Sequence, residues 1–288
     1  MSPNVAGALL MMASMAAFTL NDTFIKATDG ALPLNQLLFL RSVLSTVLII
    51  ALARWQRTLH FRISPDDWLN IAIRSAAEVG AAYFFITALL NMPLANITAI
   101  LQILPLTVTL GSALFFKEHV GWRRGLAIAV GFCGMLLIVL PEAGGFSIWS
   151  FYALMAVLCI TIRDLVTRRL SPGAPSMTVT LAASVVVLIC FGLGSLGTDW
   201  APVTPSLGLL IAGAALFVIG GYFFSIQVMR TGDISFTAPF RYTGLVWALL
   251  LGWLFFGDWP APITLLGAAI VVTSGLFTLY RERQLLRS

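Results

Sequence analysis

The chain has 288 residues, of which 59% are hydrophobic and 10% charged, against about 25% charged in a soluble domain. That excludes an ordinary soluble fold. The net charge of +5 would point to nucleic acid in a soluble protein, but here membrane orientation accounts for it.

The apolar residues fall in runs of about 18 to 24, long enough to cross a hydrocarbon layer roughly 30 Å thick. Cutting at polar, Pro and Gly clusters predicts spans at 5–26, 34–54, 67–90, 93–116, 122–140, 149–169, 175–196, 206–229, 233–256 and 261–280. Nothing basic precedes the first run and it is too long for a signal-peptide core, so it reads as span 1. Near its end Asp22 follows Asn21 and stands four residues before Lys26, a spacing that fits an anchoring or gating pair. Span 2 holds Arg41 well inside its apolar run.

Span 3 carries Arg74 and Glu78 at i and i+4, on one face and within reach. They form a structural pair, or Glu78 stays available to an ammonium group or a proton. Tyr83-Phe84-Phe85 follows; its rings either pack or stack on an aromatic solute. In span 4, Thr98 and Gln102 share a face just before Pro105, which frees a backbone carbonyl and favours a polar cavity wall over helix glue. Gly125, Ala127, Gly131 and Gly134 in span 5, with Gly267, Ala268, Ser274 and Gly275 in span 10, read as close-packing scaffold. Span 6 ends with Arg163, Asp164 and Arg168, and span 8 contains Tyr222-Phe223-Phe224.

Span 9 presents Phe240, Arg241, Tyr242 and Trp247. Arg241 lies about 12 Å deep at 1.5 Å per residue, with no acid three or four positions away. It either pairs across helices or receives a ligand, since an ionised group at such depth faces a partner, a cavity or the bundle interior. The cysteines Cys133, Cys159 and Cys190 sit singly in apolar runs, and His60 and His119 lie in polar connections. No metal site or other cofactor is expected.

With the N-terminus inside, one face collects Arg54, Arg57, Arg62, Lys117, Arg123, Arg124, Arg168, Arg169, Arg230, Arg281, Arg283 and Arg287, and the other only Lys26. This bias predicts both termini in the cytoplasm of a bacterial-type inner membrane. The chain also repeats itself. Tyr83-Phe84-Phe85 and Thr98-Ala99 recur at one common offset as Tyr222-Phe223-Phe224 and Thr237-Ala238. Phe115-Phe116-Lys117-Glu118 matches Phe255-Phe256-Gly257-Asp258 at nearly the same offset, and Thr19, Asp22 and Lys26 likewise match Thr161, Asp164 and Arg168. Halves of 1–145 and 146–288 with five spans each must be inverted relative to one another, an arrangement frequent in secondary transporters. The expected fold is therefore an all-α integral membrane protein, ten transmembrane helices as two inverted five-helix repeats around a central cavity.

The segment from Leu104-Pro105-Leu106 through Phe115-Phe116-Lys117-Glu118, its counterpart Leu245 to Asp258 and the following Gly267-Ala268-Ala269 resemble the drug/metabolite transporter superfamily, EamA type. Lys117 stands where glycine is usual and Leu245 where proline often stands. The chain is most similar to YddG-like exporters, which implies aromatic or other hydrophobic amino acids as cargo; a nucleotide-like metabolite, S-adenosylmethionine or cationic drug is the alternative. The expected solute contacts are Arg241, Glu78, Tyr83, Thr98, Gln102, Tyr222, Phe240 and Trp247, in a cavity bordered by spans 3, 4, 8 and 9. Arg241 would receive the solute carboxylate. A monomer in the lipid bilayer is expected, with a small-molecule substrate, no nucleic acid and no catalysis. An enzyme would need a nucleophile and base or paired acids at matched depth, and no P-loop is present to drive transport by ATP.

Overall fold

The computed structural model describes residues 3–55, 64–117, 121–139, 147–171, 174, 176–231 and 234–285. Glu118, His60, His119 and the basic residues Arg57, Arg62 and Arg287 lie outside them. Among the described residues the regular structure is entirely helical: α1 (Pro3–Lys26), α2 (Leu34–Trp55), α3 (Pro65–Asn91), α4 (Leu94–Leu101), α5 (Leu104–Phe115), α6 (Trp122–Val139), α7 (Ile148–Thr167), α8 (Ser176–Ser195), α9 (Pro205–Thr231), α10 (Ile234–Thr237), a 3-10 turn (Ala238–Tyr242), α11 (Thr243–Phe256) and α12 (Pro262–Leu285).

Eight described helical stretches are long and apolar enough to cross a membrane, and Gly125–Val139 and Pro262–Thr278 are shorter apolar ones. Together they account for the ten expected spans. Large apolar side chains point outward along them, with Leu114 at 69%, Trp122 at 74% and Leu209 at 74% exposure. Exposure on this scale requires an apolar solvent. The near face of the bundle is the one where α1 begins, and the far face the one where it ends.

Spans 4 and 9 are interrupted. Span 4 breaks at Gln102 and Ile103, where Pro105 enters the first turn of α5 and its missing N–H is harmless. Span 9 breaks between Tyr242 and Thr243, after a 3-10 turn that contains Pro239. Gln102 and Tyr242 are separated by the same offset as Phe116 and Phe256, so the two breaks are repeat partners. The proline missing at Leu245 does not straighten span 9, because Pro239 constrains the preceding turn instead.

Helix pairing joins the two halves throughout. α1 packs on α9, α3 on α7, α2 on α8, α4 on α11 and α6 on α12. In span numbers these are 1 with 8 and 3 with 6, which exchange under the repeat, together with 2–7, 4–9 and 5–10, which map onto themselves. α6 and α12 approach each other closely at their glycines. A Cβ on Gly267 would stand 2.5 Å from the Gly134 carbonyl oxygen, and one on Gly134 would stand 2.8 Å from Ile270 Cβ. Gly131, Gly134 and Gly267 therefore act as scaffold, whereas Gly125 borders open space. α4 and the start of α5 are packed in the core, with Leu94, Ile97, Ile100, Ile103 and Leu106 all at 0% exposure.

Candidate functional site

A cavity of about 90 Å³ opens between α2, α3, α8 and α9. α2 contributes Arg41 and, one turn on, Ser45, with Ser42 and Ile49 on the same side. α3 contributes Glu78 and Ala82, α8 contributes Thr180 and Ser184, and α9 contributes Ile219 and Tyr222. Lining spans are thus 2, 3, 7 and 8, where 3, 4, 8 and 9 were expected. The cause is packing: spans 4 and 9 hold each other and bury their apolar faces in the core, which leaves spans 2 and 7 to close the cavity.

Glu78 sits midway along α3 and faces two arginines. Arg163 Nη1 approaches both of its carboxylate oxygens at 3.4 Å, and Arg74 Nη2 lies 3.9 Å away. The i,i+4 pair predicted from sequence is present, and α7 enlarges it. Arg163 also donates from Nε to Asp164 Oδ1 at 2.9 Å, while Arg74 Nε donates to Thr167 Oγ1 at 3.1 Å. Opposite charges gathered in this way avoid the cost of isolated ions in a low dielectric.

Arg41 differs. Its Nε is enclosed and, among the described residues, has no hydrogen-bond partner; the same is true of Ser45 Oγ. The acid that acts on it most strongly is Asp22, whose Oδ1 accepts instead from Asn21 Nδ2 at 2.7 Å. Above this level Thr46 and Ser184 join α2 to α8 through a 2.7 Å hydroxyl pair.

The expected Asp22–Lys26 pair is not formed among the described residues, while Asp164 pairs with the preceding Arg163. Lys26 Nζ donates to the carbonyls of Leu89 and Met92, at 3.3 and 3.0 Å, and covers the Phe256 ring at 5.4 Å. Orphan carbonyls at the end of α3 attract a cation as a carboxylate would, without its desolvation cost. Arg168 Nη1 meets Ser112 Oγ, and Arg169 covers the Phe116 ring at 5.5 Å. Phe116 and Phe256 are repeat partners, so at each face a basic residue from the end of span 1 or 6 lies over a phenylalanine from the end of span 9 or 4. The near face has a further latch. Asp67 accepts from the Ser171 N–H at 2.9 Å, the Ser171 hydroxyl at 2.6 Å and the Ser64 hydroxyl at 2.8 Å.

Of the residues expected from sequence, Glu78 and Tyr222 line the cavity. Tyr83 is exposed and packs on Phe84 and Tyr152, with centroids 5.4 and 6.2 Å away. Thr98 and Gln102 lie on either side of the end of α4, and Gln102 is buried towards Gly244 of α11. Trp247 on α11 has an enclosed, unpartnered Nε1. Phe240 packs on Phe236 at 5.9 Å, and Arg241 is exposed on the 3-10 turn; neither lines the cavity. Depth in the span singles out Arg41 in the sequence but not its hydroxyl neighbours. The stripe Arg41, Ser45, Ile49, spaced by four, is the signal that could have found them.

Spans paired across two repeats around a charged cavity define a polytopic membrane protein of the two-repeat kind. The EamA-like transporter family model matches twice, over residues 5–140 and 147–280, and the chain belongs to that family. It is 28% identical over 280 residues to a riboflavin transporter of Vibrio cholerae, covering 94% of this chain and 92% of that protein. It is 25% identical over 280 residues to a pseudopaline exporter of Pseudomonas aeruginosa, covering 93% and 94%. An S-adenosylmethionine uptake transporter of Rickettsia bellii is 27% identical over 197 residues, 67% of this chain and 66% of that protein, so the chain spans just under two thirds of that relative. A solved structure superposes with TM-score 0.66 at 18% identity, over 97% of this chain and 99% of the other; it supports the fold alone.

Proposed function

We propose that this chain is a secondary carrier that moves a small metabolite through the cavity by alternating access, with residues 1–145 and 146–288 rocking as inverted repeats. The observation that carries the reading is the matched closure of the two faces, Lys26 on Phe256 at the far face and Arg169 on Phe116 at the near face, with the charged cavity between them. Two equivalent seals around one site are what alternating access requires. The cavity is smaller than the roughly 300 Å³ of a ligand pocket, so a solute enters only when one seal parts.

The positive-inside bias supports a near face in the cytoplasm of the bacterial inner membrane. The lining of Arg41 and several hydroxyls, beside a Glu78 paired with arginine, suits a polar solute with a carboxylate, which keeps the amino acids of the YddG-like resemblance as the first cargo class, in the export direction. Carriers of S-adenosylmethionine, riboflavin and pseudopaline among the relatives support a second reading, in which the cargo is a larger metabolite.

The test is counterflow into proteoliposomes from a panel of labelled aromatic amino acids, S-adenosylmethionine and riboflavin. Saturable exchange of one member, abolished by Ser184→Trp in the cavity wall, is expected. Flux that rises linearly with concentration would favour a channel and overturn the carrier.

A further inference from the structure

We infer that Arg41 is the specificity-determining residue of the cavity and that, with Ser45, it binds a carboxylate group of the solute. The inference rests on the reading of the cavity as the solute site. The three arginines near the cavity are not equivalent. Arg163 directs its donors to Glu78 and Asp164, and Arg74 is engaged by Glu78 and Thr167, although its Nη1 is also enclosed without a partner among the described residues. Arg41, by contrast, forms no ion pair among the described residues, and its Nε is enclosed without an acceptor.

Ser45, one helical turn away on the same cavity wall, likewise keeps an enclosed hydroxyl without a partner. Enclosed donors left unmade are costly, and these two belong to residues that line the cavity one helical turn apart, where a solute acceptor could meet them. Asp22 on α1 acts on Arg41 electrostatically, but its Oδ1 accepts from Asn21 and it forms no ion pair with Arg41 among the described residues. At the offsets of the matched motifs, the repeat counterpart of Arg41 falls within Thr180, Leu181, Ala182 and Ala183, none of them basic. Among the described residues that line the cavity, Arg41 is therefore the positive side chain without an ion pair, since the two other arginines lie against Glu78. A guanidinium matches a carboxylate through two parallel hydrogen bonds, and a lysine offers only a point charge. The ligand class is a small organic carboxylate, amino acids included.

The experiment measures thermal stabilisation of the detergent-purified chain by L-phenylalanine, 3-phenylpropionate and phenethylamine, alongside proteoliposome flux of the same compounds. Wild type is expected to be stabilised by both carboxylates. Arg41→Gln should weaken both at least tenfold and leave the response to the amine unchanged, Arg41→Lys should recover only part, and Ser45→Ala, a mild change that keeps the fold, should cost several-fold. Absence of carboxylate stabilisation in wild type overturns the inference, as does an equal loss for acid and amine. Carboxylate stabilisation that depends on Arg41 without flux would sink the carrier reading and keep this one; flux unchanged in Arg41→Gln and Ser45→Ala would do the reverse.

Discussion

Replacing Arg163 with Gln tests whether the charges beside the cavity act as one network. At 3.4 Å from Glu78 and an effective dielectric near 20, the gross attraction is about 5 kcal/mol, much of it offset by desolvation. Removing one partner of a buried pair costs about 3–5 kcal/mol. The side chains here keep 20% to 31% exposure, which places Arg163→Gln at the lower end, about 3 kcal/mol. Glu78→Gln should cost less, about 1–2 kcal/mol, because Arg163 keeps Asp164 and Arg74 keeps Thr167. In the double variant the two losses should overlap by at least about 1 kcal/mol. The assay is thermal unfolding in detergent, where about 2 °C per kcal/mol puts the Arg163→Gln shift near 6 °C. Strictly additive shifts would refute the network and leave two independent pairs.

Gly134→Leu or Gly267→Leu should separate α6 from α12 and cost about 1–3 kcal/mol by overpacking, read as a lower melting temperature; an unchanged melting curve would deny the close approach. Lys26→Met removes the two carbonyl contacts and the cover over Phe256, so a Cys placed at Ser45 should react faster with an impermeant maleimide applied from the far face. Asp67→Asn weakens three hydrogen bonds at the near face, each worth about 1.5–3 kcal/mol with a charged acceptor. Labelling of the same Cys from the near face should then accelerate. Equal rates in the variants and the parent would remove these residues from the seals.

Much of the architecture could be read without coordinates because its causes are local. Apolar runs of membrane length mark the spans, Pro105 marks the interruption of span 4, and Gly134 and Gly267 mark close approach. The i,i+4 spacing of Arg74 and Glu78 also corresponds to a true pair. What the spacing could not supply is which helices meet. Arg163 joins Glu78 from 85 residues away, and Lys26 leaves its local partner Asp22 for carbonyls over 60 residues distant. Such choices depend on the mutual placement of spans, on which periodicity is silent. Arg241 stands out in the sequence because no acid lies three or four positions away, yet the same holds for Arg41, and burial of its Nε distinguishes the two only in three dimensions.

The most direct test of alternating access through this cavity is the sidedness of labelling at Ser45→Cys, in protein whose Cys133, Cys159 and Cys190 are replaced by Ser. Right-side-out and inverted vesicles are treated with a membrane-impermeant maleimide, with and without a transported solute. The account predicts labelling from both faces and protection from both by the solute. Labelling from one face alone, or labelling that the solute does not slow, would contradict it.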